Sequence, residues 1–149
     1  MLLVIGYGNP QFTDDGIGPM VVSRLEAQLR KNVAVRVMKM SQLSPEMCEP
    51  ISRAALVIFI EACRGEHVGA VACQTVIPQA SVDSFAGQIT LASLLASSRE
   101  LYGRAPASLI ISITGESFEA GTELSPQLNG ALAHITDQLI GLIGKAFFV

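Results

Sequence analysis

The chain has 149 residues, half of them hydrophobic and 15% charged, a balance that suits a folded domain with its own core and excludes disorder. A net charge of −3, 5% aromatic residues and no Trp leave neither a basic face nor a stacking platform, which argues against nucleic acid as a partner. Cys48, Cys63 and Cys73 are odd in number and form no Cys-x-x-Cys. That speaks against a disulfide framework or a zinc site and fits a cytoplasmic protein.

The first element is an apolar strand, Leu2 to Ile5, ending in a glycine turn, Gly6-Tyr7-Gly8-Asn9. The run is short and lacks a basic flank, so it reads as a strand and not as a signal peptide. A loop then delivers Asp14 and Asp15 ahead of Gly16-Ile17-Gly18. Met20, Val21, Val22, Leu25 and Leu29 form a helical stripe to about Arg30. Val33, Val35 and Val37 alternate as a second strand. Ser44-Pro45-Glu46 reads as a helix start, with Ser44 as cap and Pro45 at the first helical position, and that helix ends near Ser52.

Ala55 to Ile60 is a continuous apolar run, the pattern of a strand buried on both faces, and it ends in Glu61. A loop over 62–69 leads to a further strand, Val71 to Ile77, closed by Pro78. Residues 79–87 read as irregular. A helix from about Gln88 to Tyr102 follows, with Gly103 as its stop. Leu109 to Ile113 is another apolar strand, 114–125 a long polar loop, and Pro126 opens a final helix carrying Leu128, Leu132, Ile135, Leu139 and Leu142. No run approaches the roughly 20 apolar residues of a membrane span.

Strands alternating with helices predict a single α/β domain over 1–149, a three-layer α/β/α sandwich around a mostly parallel sheet. The 71–77 strand follows its predecessor without a helix between them, so it is the expected antiparallel edge strand.

Parallel strands share a C-terminal edge, where open α/β sheets build their sites. Asp15, Glu61 and the acids of the late loop, Glu116 and Glu119, are all expected there. Paired carboxylates can bind a divalent cation or share a proton. Each has a plainer alternative. Asp-Asp-Gly before a helix often serves as an N-cap, Glu61 can pair with Arg64, and Glu116 and Glu119 can be solvated. Gly6-x-Gly8 makes a poor dinucleotide motif, because Gln11 stands where a third glycine would fall and two Asp would repel a pyrophosphate. His134 sits on the flank of the last helix. His67, in the loop after Glu61, is nearer the expected crevice. Cys63 has no evident base or cation to activate it.

Gly6-Tyr7-Gly8-Asn9 followed by Asp14-Asp15-Gly16-Ile17-Gly18 resembles the opening of the hydrogenase maturation proteases, the endopeptidases that trim the large subunit of [NiFe] hydrogenases. Gln42-Leu43-Ser44-Pro45-Glu46, the apolar strand ending in Glu61, Gly115-Glu116-Ser117-Phe118-Glu119, and Gly121 with Leu124-Ser125-Pro126 continue the resemblance in order. The resemblance implies removal of a C-terminal extension from a hydrogenase large-subunit precursor after nickel insertion. The nickel would be carried by the substrate, with no organic cofactor. By position, Asp15 and Glu61 are the implied catalytic and nickel-gripping acids, and Gln42 and Glu116 the implied substrate contacts. The family's histidine ligand falls at Gly87, a frequent second His at Gln88, and one that often precedes Gln42 at Ser41. His67 is the candidate substitute for the ligand that Gly87 does not supply. The competing function is a non-catalytic binding or chaperone-like relative that keeps the groove without the cut.

Overall fold

The computed structural model describes residues 1–32, 34–80 and 89–147. Gly87, Gln88 and Val33 lie outside them.

Among the described residues five strands form one sheet: β1 (Leu2–Tyr7), β2 (Val35–Met40), β3 (Leu56–Cys63), β4 (Val71–Val76) and β5 (Ala107–Thr114). Their order across the sheet is β2-β1-β3-β5-β4. All neighbours are parallel except β4, which runs antiparallel to β5 at the edge. The expected α/β class and antiparallel edge strand are therefore both present. β4 returns directly from β3 without a helix, and a short connection cannot make a parallel crossover.

Among the described residues four α-helices cover the sheet: α1 (Ile17–Leu29), α2 (Cys48–Arg53), α3 (Leu91–Tyr102) and α4 (Pro126–Phe147). The strand side chains alternate between the two layers. Leu2, Val4, Ile58, Ile60, Ile111 and Ile113 pack with α1 and α4. Leu3, Ile5, Val57 and Phe59 pack with α2 and α3. Leu109 is only partly buried, because its neighbour in β4, Thr75, belongs to a largely exposed edge strand.

Element ends differ from expectation in informative ways. β3 continues to Cys63, so Glu61 lies inside the strand and not after it. α3 begins at Leu91, and Thr90 is its cap. The Thr90 hydroxyl accepts the Ser93 N–H and the Ser93 hydroxyl accepts the Thr90 N–H. Among the described residues no helix is long and apolar enough to cross a membrane.

Chain order explains where a site forms. From β1 the chain moves out to β2, then returns to place β3 on the other side of β1. The connections from β1 and from β2 leave on opposite faces, which opens a crevice at the C-terminal ends of β1 and β3.

Candidate functional site

The crevice at this switch point has a volume of about 780 Å³. Tyr7, Gly8 and Asp15 line it from the β1 side, Ser41, Gln42 and Leu43 from the end of β2, Glu61 and Ala62 from β3, and Ile89 from the approach to α3. Two of these residues are acids and none is basic. A cation is the ligand such a lining favours.

Asp15 reaches the crevice through a tight turn. Gly8 has φ +145, and a Cβ built on it would stand 1.9 Å from the carbonyl oxygen of Asp15, so only glycine fits there. Residues 13–16 form one short 3-10 turn before α1. The Asn9 N–H donates to Asp15 Oδ2 at 2.7 Å, which fixes the carboxylate without neutralising it.

Glu61 reaches the same crevice by strand alternation. In β3, Val57 and Phe59 face the α2/α3 layer, and Glu61 follows with the same parity. In β1, Leu3 and Ile5 face that layer and Tyr7 follows. Since Gly6 pairs with Ile60, the next residues, Tyr7 and Glu61, stand side by side. The Tyr7 hydroxyl donates to Glu61 Oε2. On the other flank, Ser112 pairs with Glu61 in the β3–β5 register, and its hydroxyl donates to Oε1 at 3.4 Å. Burial holds the Tyr7 phenol well above its ordinary titration range, reinforced by the hydrogen bond to Glu61 and by the charges of Glu61 and Asp15. Tyr7 is therefore a neutral donor here. The alternative pairing of Glu61 with Arg64 does not form. Arg64 lies over the Phe118 ring, 4.5 Å from its centroid.

Asp14, adjacent to Asp15, serves a different purpose. It is fully buried. It caps neither the 3-10 turn nor α1, contrary to the plain N-cap reading. Its Oδ2 accepts the N–H of Glu116 at 2.7 Å and of Ser117 at 3.0 Å, and the Ser125 hydroxyl at 2.7 Å. Its Oδ1 accepts the Ser125 N–H at 2.8 Å. Burial pushes its pKa up, but the donors from Ser125, Ser117 and Glu116 outweigh this and hold it below the ordinary carboxylate value. Backbone bonds between Thr13 and Gly121, and between Gly121 and Gln11, stitch the same two loops together.

This anchoring separates Glu116 and Glu119 from the crevice. Their loop is drawn onto Asp14 by its own N–H groups, and both side chains are exposed. Glu116 lines a separate hollow with Thr13, Ser117 and Ser125, at the entry to α4. The expectation that the late-loop acids converge with Asp15 and Glu61 is thus corrected, and of the two implied substrate contacts only Gln42 lies in the crevice. His67 is exposed and is not among the crevice residues. Its turn leans the other way, with Val68 packed on the α1/α4 core and Gly69 facing Ala131 and Ile135 of α4. Among the described residues no three His, Cys, Asp or Glu side chains gather as a metal site. His134 is exposed.

Tyr7 and Ser112 are site residues that motif reading did not single out. The signal was available: once β1 and β3 are neighbours, period-two alternation from Leu3 and Phe59 places a phenol beside Glu61.

No family model matches this sequence, and no curated protein matches it. Solved structures do. The Escherichia coli hydrogenase maturating endopeptidase HybD superposes with a TM-score of 0.76 at 19% identity, over 98% of this chain and 93% of that one. The [NiFe] hydrogenase maturation protease HycI from Thermococcus kodakarensis KOD1 gives 0.73 at 19%, over 93% and 88%. The solution structure of an Escherichia coli endopeptidase gives 0.73 at 20%, over 98% and 93%. Similarity at this level of identity is similarity of fold, and over nearly its whole length this chain has the fold of the hydrogenase maturation endopeptidases.

Proposed function

We propose that the chain is an endopeptidase that removes the C-terminal extension of a [NiFe] hydrogenase large-subunit precursor, recognising nickel already bound by that precursor. The observation that carries this reading is the crevice itself. Asp15 and Glu61 line it together, with no basic residue in the lining, and each is oriented by neutral donors. Their charge therefore stays available for a cation. The fold neighbours are proteases by name, which points the same crevice toward peptide-bond hydrolysis.

In this reading Asp15 and Glu61 grip the substrate's nickel and bring the scissile segment against the crevice. Gln42, at its rim, contacts the peptide. A water molecule between cation and carboxylate attacks the scissile carbonyl. The carboxylate takes the water's proton and returns it to the departing amine as the amide bond breaks. Nickel favours imidazole nitrogen over a shell made of carboxylates alone, and Gly87 has no side chain to offer. The precursor thus supplies most of the nickel shell and this chain supplies two oxygens. Residues 1–149 act as one domain. Cys48, Cys63 and Cys73, all free thiols, support a cytoplasmic setting.

The test is intact-mass measurement of nickel-loaded and nickel-free precursor after incubation with the purified protein. Cleavage confined to the loaded form, and lost with Glu61→Gln, is the expected result. A stable complex without cleavage would replace the peptidase with the non-catalytic, chaperone-like reading.

A further inference from the structure

Outside the two acids, the hollow at the entry to α4, the outer edge of β4 and the hydroxyls around Glu61 stand out. The hollow at the entry to α4 has two acids in its lining, Glu116 and Glu123, but the buried carboxylate beneath its loop, Asp14, already has its donors. The outer edge of β4 is exposed without anything to indicate what covers it. The hydroxyl pair around Glu61 is the feature that bears directly on the crevice.

We propose that Tyr7 is the positioning residue for Glu61, holding its carboxylate, together with Ser112, in the orientation that meets a divalent cation. The inference rests on the cation-gripping reading of the crevice and deepens it.

Glu61 sits in the middle strand of three. Its two oxygens are taken one each by hydroxyls from the strands on either side, Tyr7 of β1 on Oε2 and Ser112 of β5 on Oε1. A glutamate side chain left free would scatter over several rotamers, and that freedom must be surrendered whenever it grips a ligand. Here it is surrendered during folding. A carboxylate has about four lone-pair sites, so the two hydroxyl donors leave acceptor capacity on each oxygen for a cation. Neither donor carries a charge, so the pinning does not reduce the negative charge that draws the cation. Outer donors of this kind orient metal-binding carboxylates generally, and their loss typically weakens metal binding about 10- to 100-fold.

The arrangement also gives the length of Glu61 a physical purpose. The register places the Tyr7 ring beside the strand, with its hydroxyl at the far end of the ring, and the longer acid side chain reaches it. An aspartate at this position would lose one methylene of reach. The partnership of phenol and glutamate is thus specific: Tyr7→Phe and Glu61→Asp should each break the same contact.

The experiment is calorimetric titration of the intact protein with Ni²⁺ alone, on wild type, Tyr7→Phe, Glu61→Gln and Tyr7→Phe/Glu61→Gln. It is paired with the carboxyl ¹³C resonance of Glu61, assigned by its disappearance in Glu61→Gln. Phe keeps the ring and its packing, so the variant removes only the donor. The expected result is a shifted Glu61 resonance in Tyr7→Phe before any metal is added, and Ni²⁺ affinity lowered about 10- to 100-fold. In the Glu61→Gln background, Tyr7→Phe should cause no further loss, because the phenol acts through the acid. An unshifted resonance overturns the proposal, as does unchanged or tighter Ni²⁺ binding in Tyr7→Phe while Glu61→Gln still weakens it. An equal further loss in the double variant also overturns it, since Tyr7 would then touch the cation itself. If Glu61→Gln and Asp15→Asn both leave Ni²⁺ titration unchanged, the cation-gripping reading fails first and takes this proposal with it.

Discussion

Asp14 is fully buried and accepts four hydrogen bonds from the 115–125 loop, whereas Asp15, one residue on, faces an open crevice with the Asn9 N–H on one carboxylate oxygen. The two side chains have the same chemistry and share one short turn. What separates them is direction. Asp14 turns inward, to the entry of α4, and Asp15 turns to the C-terminal ends of β1 and β3. A buried carboxylate persists only when donors replace its water, and Asp14 meets that condition. Asp15 does not need to, because solvent reaches it. An anchor and a ligand can therefore be neighbours in sequence, and accessibility with donor count tells them apart.

Breaking the anchor should have the largest effect on stability. Asp14→Asn turns an amide N–H₂ toward backbone N–H donors and strands some of them. Chemical denaturation should show a loss of about 1–3 kcal/mol for each donor left without a partner. The pH dependence follows from the direction of the shift. The native pKa of Asp14 lies below its unfolded value, near 3.9, so its contribution is complete above that value and is lost as pH falls through the native pKa. Wild type should thus weaken in acid more steeply than Asp14→Asn.

A smaller disturbance comes from the anchor's neighbour. A Cβ on Gly115 would stand 2.7 Å from the Asp14 Cβ and 3.0 Å from Phe118 Cζ. Gly115→Ala should cost about 1–3 kcal/mol by overpacking, read from the same denaturation curves. No loss would mean the loop can retreat without releasing Asp14.

At the crevice, an added ligand should change metal binding. If Gly87 stands where the family places an imidazole, Gly87→His should raise Ni²⁺ affinity by roughly tenfold, since nickel gains a nitrogen ligand. If instead His67 swings in to replace it, His67→Ala should abolish binding and Gly87→His should add little. Calorimetry on the two variants separates these, and the turn of His67 toward α4 favours the first.

The sheet, its layers and its antiparallel edge were legible because they rest on local signals: apolar runs, alternation, Pro45 opening the 3-10 turn that leads into α2, Pro126 at the start of α4, and the missing helix before β4. The end of β3 was not, because Glu61 interrupts the apolar run while the backbone continues to pair with β5 through Thr114. Asp15 and Glu61 were singled out by their place at the ends of apolar strands, and both line the crevice. The anchoring role of Asp14 was not legible, because its partners lie more than a hundred residues away, and nothing local encodes them. Tyr7 was passed over inside a glycine turn, although β1 extends through it. Its role exists only because β3 lies beside β1, a fact of topology and not of spacing.

One measurement tests the division between anchor and ligand directly: the urea midpoint of wild type, Asp14→Asn and Asp15→Asn, each with and without excess Ni²⁺. A ligand that binds only the native state raises stability with its concentration over Kd. Asp15→Asn should keep the wild-type stability without Ni²⁺, to within about 1 kcal/mol, but lose the rise that Ni²⁺ gives wild type. Asp14→Asn should start far lower and still rise. If Asp15→Asn rises with Ni²⁺ as wild type does, Asp15 is not a ligand and the crevice is not a cation site.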